Sequence, residues 1–229
     1  MAGVKGITFD VFGTLFDWYG SLVPRVESML RESGAAVNVE SFMTVWRTKQ
    51  LSYTQINTML GKGWMSFREI TERALRYTIK TFAVSVSSSA LSELISAWYE
   101  LRPFPDVIPA LRRLSEMGYM LAPLSNGDND MLQSLVKRLD VRFDAIFSAE
   151  NVGVYKPHPA IYEQAVKAWN IRPEEIMHVA GSPFDAIGSK SYGLKTVWVN
   201  RQSSVFDEFD QRPDSIVRDF EELVGVLRT

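Results

Sequence analysis

Gly6-Ile7-Thr8-Phe9-Asp10-Val11-Phe12-Gly13-Thr14-Leu15 is the stretch on which the reading of the whole chain turns. An apolar run, Ile7 to Phe9, leads into Asp10, and Gly13-Thr14 turns the backbone. Short apolar runs closed by a glycine turn read as buried strands. A carboxylate at the end of such a strand, in an open α/β sheet, lies at the carboxyl edge where ligands bind. Burying that charge costs desolvation energy unless a cation or hydrogen-bond donors meet it. Asp10 alone reads equally as a turn cap or as an anion placed for chemistry.

Beyond Asp17 the pattern is helical, from about Tyr19 to about Tyr99. Leu22, Val26, Met29 and Leu30 share one helical face, and Gly34 closes the segment. Phe42, Val45, Trp46, Lys49 and Tyr53 recur at three- and four-residue spacing, as do Ile70, Ala74, Leu75, Thr78 and Phe82. Ser87-Ser88-Ser89 precedes a last stripe, Leu91, Leu94, Ile95 and Trp98. The spacing predicts about four helices packed on one another. After Pro103 and Pro105 strands and helices alternate. Helices are expected at 107–117, 130–139, 161–169, 184–192 and 221–227, and strands at 119–124, 145–147, 176–180 and 196–199. Pro123 is unusual inside a strand. This alternation predicts an α/β fold with a doubly wound parallel sheet and right-handed crossovers, the helical unit being inserted after its first strand.

The 229 residues suffice for one domain with a sizeable insertion or for two small ones. A net charge of −2, with Lys and Arg scattered among acids, predicts no nucleic-acid partner. Apolar runs fall far short of the roughly 20 residues a membrane span needs, and Asp10 interrupts the only candidate signal peptide. Cysteine is absent, which excludes disulfides, thiolate metal sites and a cysteine nucleophile. The expected protein is soluble and cytoplasmic, with no membrane contact.

Four strand ends bring polar residues to one edge of the sheet: Asp10 with Thr14, Ser125-Asn126-Gly127, the loop holding Lys156, and Gly181-Ser182 through Asp185. Each has a plain alternative. Ser125 or Asn126 caps a helix, Lys156 is a solvated loop lysine, and Asp185 is a first-turn acid favoured by the helix dipole. His158 and His178 show no metal spacing and read as structural.

The order Asp-x-Phe-Gly-Thr, Ser-Asn-Gly, Tyr-Lys-Pro and Gly-Ser-Pro-x-x-Asp resembles the haloacid dehalogenase superfamily, over essentially the whole chain. The stretches 9–17, 46–54, 154–157 and 198–201 resemble its L-2-haloacid dehalogenase branch. The resemblance implies a Rossmann-like core, residues 1–16 and 101–229, and a helical cap, residues 17–100, with the active site between them. It implies (S)-2-haloacid dehalogenase chemistry on a small carboxylate substrate, without cofactor or metal, and allows a homodimer through cap and core surfaces. Asp10 would be the nucleophile, neutralised by Lys156, because a covalent ester splits one hard displacement into two easier steps. Arg47 would bind the substrate carboxylate with its fork of donors. Thr14, Ser125, Asn126 and Tyr162 would orient the carboxylates and Lys156, and Asp185 would hold Lys156 and position water. Phe12, Leu51, Phe67 and Phe184 would form the apolar wall.

Two departures bear on activity. Phosphatases of the superfamily carry an acid two residues after the nucleophile and another four before the last aspartate, whereas this chain has Phe12 and Gly181 there. That weakens a magnesium site. The dehalogenase branch has Ser-Ser-Asn where this chain has Ala180-Gly181-Ser182, with Ser182 still expected at the substrate. The changed segment motivates a non-halide leaving group, as in ring opening of a cyclic imino acid such as azetidine-2-carboxylate. A magnesium phosphatase is the remaining alternative.

Overall fold

The computed structural model describes residues 3–227; residues 1, 2, 228 and 229, part of the expected core, lie outside the described residues. The first strand, β1, is Gly6–Phe9, buried throughout. A short pair, β2 (Phe16–Asp17) and β3 (Arg102–Pro103), brackets four helices: α1 (Trp18–Glu32), α2 (Val39–Leu60), α3 (Phe67–Thr81) and α4 (Ser88–Ser96). Then come α5 (Val107–Glu116), β4 (Met120–Ser125), α6 (Asn129–Val136), β5 (Phe147–Ser148), α7 (Pro159–Trp169), β6 (Ile176–Ala180), α8 (Pro183–Tyr192), β7 (Lys195–Val199), β8 (Ser215–Val217) and α9 (Phe220–Val226).

The main sheet has six parallel strands in the order β5-β4-β1-β6-β7-β8. The chain leaves β1 toward β4 and β5, then returns to its other side at β6, so the topology switches direction between β1 and β6. Ligands bind in the crevice outside the strand ends at such a point. Asp10 follows β1 there, and Gly181-Ser182 follows β6.

Why these segments form these elements is largely local. Asp17, Asn38, Ser66 and Ser87 each cap the following helix through a side-chain oxygen that accepts a backbone N–H. Gly61 and Gly193 end helices in the left-handed region. Leu22, Val26, Met29 and Leu30 are all buried, as their spacing predicts. The α2 stripe differs from expectation. Its buried side chains are Phe42, Met43, Trp46, Gln50 and Thr54, while Val45, Lys49 and Tyr53 stay partly exposed. The face is rotated because Gln50 is buried as a bridge: its amide donates to Thr71 Oγ1 at 2.6 Å and its carbonyl accepts from Arg47. On α3, Ile70, Ala74, Leu75 and Thr78 are buried, whereas Phe82, past its end, is only partly so.

Other differences lie at strand boundaries. The strand expected at 145–147 is Phe147–Ser148, the two residues that pair with Leu124 and Ser125. Pro123 is tolerated in β4 because β5 is too short to reach it, leaving β1 as its paired neighbour. β2, β3 and β8 carry no apolar run and were not expected.

Among the contacts that tie the helical segment to the rest of the chain, those of Asp128 involve the most buried carboxylate. Asp128, before α6 and 5% exposed, accepts the Phe67 and Arg68 N–H groups at the start of α3, both at 2.8 Å. A carboxylate at a helix N-terminus satisfies orphan donors and meets the positive end of the dipole. Asp128→Ala is expected to cost about 1–3 kcal/mol of stability in urea denaturation, and a change under 0.5 kcal/mol would sink this assignment.

Candidate active site

Asp10 directly follows β1, and its N–H donates to Val179 O of β6 at 2.9 Å. Its carboxylate is divided between two donors: Oδ2 accepts from Thr14 Oγ1 at 2.8 Å and Oδ1 from Lys156 Nζ at 3.0 Å. Thr14 Oγ1 in turn accepts the Gly181 N–H at 2.7 Å, locking the turn after β1 to the turn after β6. A Cβ on residue 181 would lie 2.6 Å from Gly13 O and 2.7 Å from Thr14 Oγ1. Glycine is therefore needed for this approach, and a carboxylate cannot be placed there without moving backbone. With Phe12 as the other matched position, the residues present do not fit the magnesium site of the phosphatases. Among the described residues, no three His, Cys, Asp or Glu side chains are grouped to hold a metal ion.

Lys156 is 1% exposed and bridges two carboxylates, with Nζ 2.7 Å from Asp185 Oδ2 as well as 3.0 Å from Asp10. Its own N–H donates to Asn126 Oδ1 at 2.9 Å, so Asn126 sets the backbone from which the lysine reaches inward. Burial alone would lower the Lys156 pKa, but Asp10 and Asp185 outweigh it and hold the ammonium above its ordinary value. Burial would likewise raise Asp185, but Lys156 and then His178 hold it well below the usual carboxylate range. Tyr162 donates its hydroxyl to Asp185 Oδ1 at 2.8 Å, and burial beside Asp185 keeps that phenol protonated by raising its pKa.

Across from this cluster, Arg47 projects from α2, half-buried, with its guanidinium 5.2 Å from the Trp18 ring and 5.7 Å from Trp98. Burial pushes its pKa down to about 10, against the pull of Asp10. Arg47, Asp10, Lys156, Asn126 and Ser182 line one small pocket together with Phe12, Leu51, Phe67 and Phe184. The Phe12 ring stacks on Phe67 at 5.1 Å and meets Trp98 edge-on at 5.4 Å, which stiffens the apolar wall. The pocket encloses about 10 Å³, room for about one water. It adjoins a larger cleft of about 560 Å³ that shares Phe12, Arg47, Leu51, Ser182 and Phe184.

Some expected residues stand elsewhere. Ser125 Oγ accepts the Gly127 N–H at 3.2 Å, which ties it to its own turn rather than to a carboxylate. Asp185 is fully buried behind Lys156 and is not among the residues lining the pocket. His178 is more than a strand residue: its Nε2 lies 3.0 Å from Asp185 Oδ2 and its Nδ1 2.9 Å from Thr8 Oγ1. The signal for it is the pairing of β1 with β6, which sets Thr8 opposite His178. His158 caps α7, accepting the Ala160 N–H at 3.2 Å.

A family model for haloacid dehalogenase-like hydrolases matches residues 4–193. The chain is 36% identical over 225 residues, 97% of each chain, to (S)-2-haloacid dehalogenase H-109 of Pseudomonas putida. In structure it resembles the L-2-haloacid dehalogenase RSc1362, with TM-score 0.93, 30% identity and full coverage of both chains. It also resembles the L-2-haloacid dehalogenase of Xanthobacter autotrophicus with chloropropionic acid covalently bound, with TM-score 0.86, 28% identity and 98% of both chains covered.

Removing one partner of a buried ion pair costs about 3–5 kcal/mol, and Asp185→Asn is expected to lose about that much near pH 7. A depressed carboxyl stabilises fully above its unfolded pKa, near 3.9, and the contribution fades as pH falls through the folded value. The gap between wild type and Asp185→Asn in urea melts should therefore be level from pH 7 to about 5 and narrow toward pH 2. A gap that widens on acidification contradicts the pairing.

Proposed function

The chain belongs to the haloacid dehalogenase-like hydrolases, and from that premise we propose that it is an (S)-2-haloacid dehalogenase acting on small 2-halocarboxylates. The observation that carries this reading is the pocket itself. One anionic nucleophile, Asp10, is held by Lys156, and a second cation, Arg47, faces it across an apolar wall. Two cations and one exposed-side anion suit a substrate that brings its own negative charge.

Arg47 grips the substrate carboxylate and places C2 before Asp10. An Asp10 oxygen attacks C2 from the side opposite the halide, so the C–X bond breaks with inversion and the halide leaves toward the cap side. The product of this step is an ester between Asp10 and C2. Holding nucleophile and carbon together is worth an effective molarity of about 10⁵–10⁸ M in well-aligned systems. Water then adds to the Asp10 carbonyl carbon, the ester C–O bond breaks, and the D-2-hydroxy acid and one proton are released with Asp10 restored. Thr14 and Lys156, which already donate to the two Asp10 oxygens, stabilise the charge that develops there. Phe12, with no proton to give, is no obstacle, because halide needs no acid to leave.

Residues 17–100 are read as a cap that closes Arg47 over a core of residues 1–16 and 101–229. A cytoplasmic location is part of the proposal, and the absence of cysteine supports it. No helix among the described residues is long and apolar enough to cross a membrane. For assembly the reading is a homodimer through α2 and α3, where Ile56, Met59, Leu60 and Tyr77 leave an apolar face exposed.

Wild type is expected to release chloride from L-2-chloropropionate in the presence of a chelator, and Asp10→Asn to release none. Arg47→Lys should raise KM about tenfold or more, since the fork of donors is lost. No release by wild type, or equal release by Asp10→Asn, rejects the proposal; turnover of azetidine-2-carboxylate instead would select the ring-opening variant. Leu60→Asp is expected to halve the mass seen by light scattering, and an unchanged mass removes the α2–α3 interface.

A further inference from the structure

His178 is fully buried, belongs to no part of the reaction above, and yet lies one side chain behind its key cation. Its ring is pinned at both nitrogens, by Thr8 Oγ1 at 2.9 Å and by Asp185 Oδ2 at 3.0 Å. The Tyr162 ring meets it edge-on at 5.7 Å. Asp185 is ionised as the partner of Lys156, so it can only accept, and the proton between the two groups must sit on His178 Nε2. Asp185 thus takes three donors: Tyr162 on Oδ1, and both Lys156 and His178 on Oδ2.

We propose that His178 is a positioning residue for the nucleophile, acting through Asp185 on Lys156; the proposal rests on the reading of Asp10 as the attacking group. Two carboxylates compete for one ammonium, and Asp185 holds it more closely, at 2.7 Å against 3.0 Å for Asp10. The lysine stem is flexible, so its end is placed by what it bonds to. A carboxylate torsion is soft, and Tyr162 and Lys156 restrain it from the α7–loop side alone. The His178 N–H restrains it from the sheet, which cannot yield. The same N–H takes up part of the charge on Oδ2 and leaves the ammonium free to meet Asp10. Without it, Lys156 is drawn toward Asp185 and Asp10 loses both its alignment and its counter-charge. A misplacement near 1 Å at a reacting group costs about 10²-fold in rate.

The experiment compares His178→Phe, which keeps a ring and loses the donor, with His178→Gln, which returns an N–H near the Nε2 position. Chloride release from L-2-chloropropionate gives kcat and KM for each. The phenylalanine variant is expected to lose about 10–100-fold in kcat with KM within about twofold, since His178 does not line the pocket, and the glutamine variant to recover most of the loss. Should the phenylalanine variant not fold, Thr8→Val releases the ring from its other end and is expected to lower kcat several-fold at unchanged KM. A phenylalanine or valine variant within twofold of wild type overturns the proposal. So does a glutamine variant no faster than phenylalanine, or a KM that rises in step with the loss. Only two histidines are present, so nitrogen NMR of a His158→Asn chain reads the His178 ring directly and needs no turnover. A proton on Nε2 is expected, and an unprotonated Nε2 overturns the proposal. Absence of chloride release by wild type, with Nε2 protonated, counts against the dehalogenase reading alone.

Discussion

One ammonium between two carboxylates, with Lys156 and Asp185 fully buried and Asp10 at the pocket edge, is the interaction on which the rest of this structure depends. Lys156 is 1% exposed and is the cation that meets both Asp10 and Asp185, and it holds the buried Asp185 carboxyl well below the usual carboxylate range. The desolvation of these ions is offset in part by further hydrogen bonds to the cluster. Thr14 donates to Asp10, Tyr162 donates to Asp185, and His178 is the third group bonded to Asp185. A buried network with this many mutual bonds is held rigid. On the proposed reading, that network aims Asp10 before substrate arrives.

The sheet order makes the cluster possible. Asp10, Asn126 and Gly181 follow β1, β4 and β6, which are adjacent in the sheet, so three turns converge at the switch point. The loop before α7 then delivers Lys156, fixed by Asn126. Gly181 allows the turns after β1 and β6 to touch, and the same closeness leaves no volume for a metal-binding acid. One local packing decision thereby removes a carboxylate that the superfamily's phosphatases use at that position. The helical segment contributes what the sheet lacks: a second cation, Arg47, held over Trp18 and Trp98 and bonded to Gln50.

Much of the architecture was legible along the chain. Apolar runs ending in glycine or polar turns marked β1, β4, β6 and β7, and three- to four-residue spacing marked the helices, because both signals come from neighbours in sequence. Asp10, Lys156 and Asp185 stood out as polar residues brought to one sheet edge, whereas Arg47 reads as a solvated helix residue and was picked out only through the resemblance to the dehalogenase branch. Harder to see were elements with no periodic signal: the two-residue strands β2 and β3, and β8, which exist because a neighbouring strand offers them bonds.

What the order of residues determined unaided was the set of parts: a parallel α/β sheet, an inserted helical run, and polar groups gathered at one edge. What only the tertiary structure decided was who meets whom. Ser125 turned to its own backbone, the buried face of α2 rotated to admit Gln50, and His178 was set between Thr8, which the pairing of β1 with β6 places opposite it, and Asp185 of α8. The reason is physical. Periodicity is a property of residues a few positions apart, whereas a buried hydrogen bond such as that between Thr8 and His178 joins groups 170 positions apart. Its partner is chosen by strand order and close packing, and no local pattern encodes either.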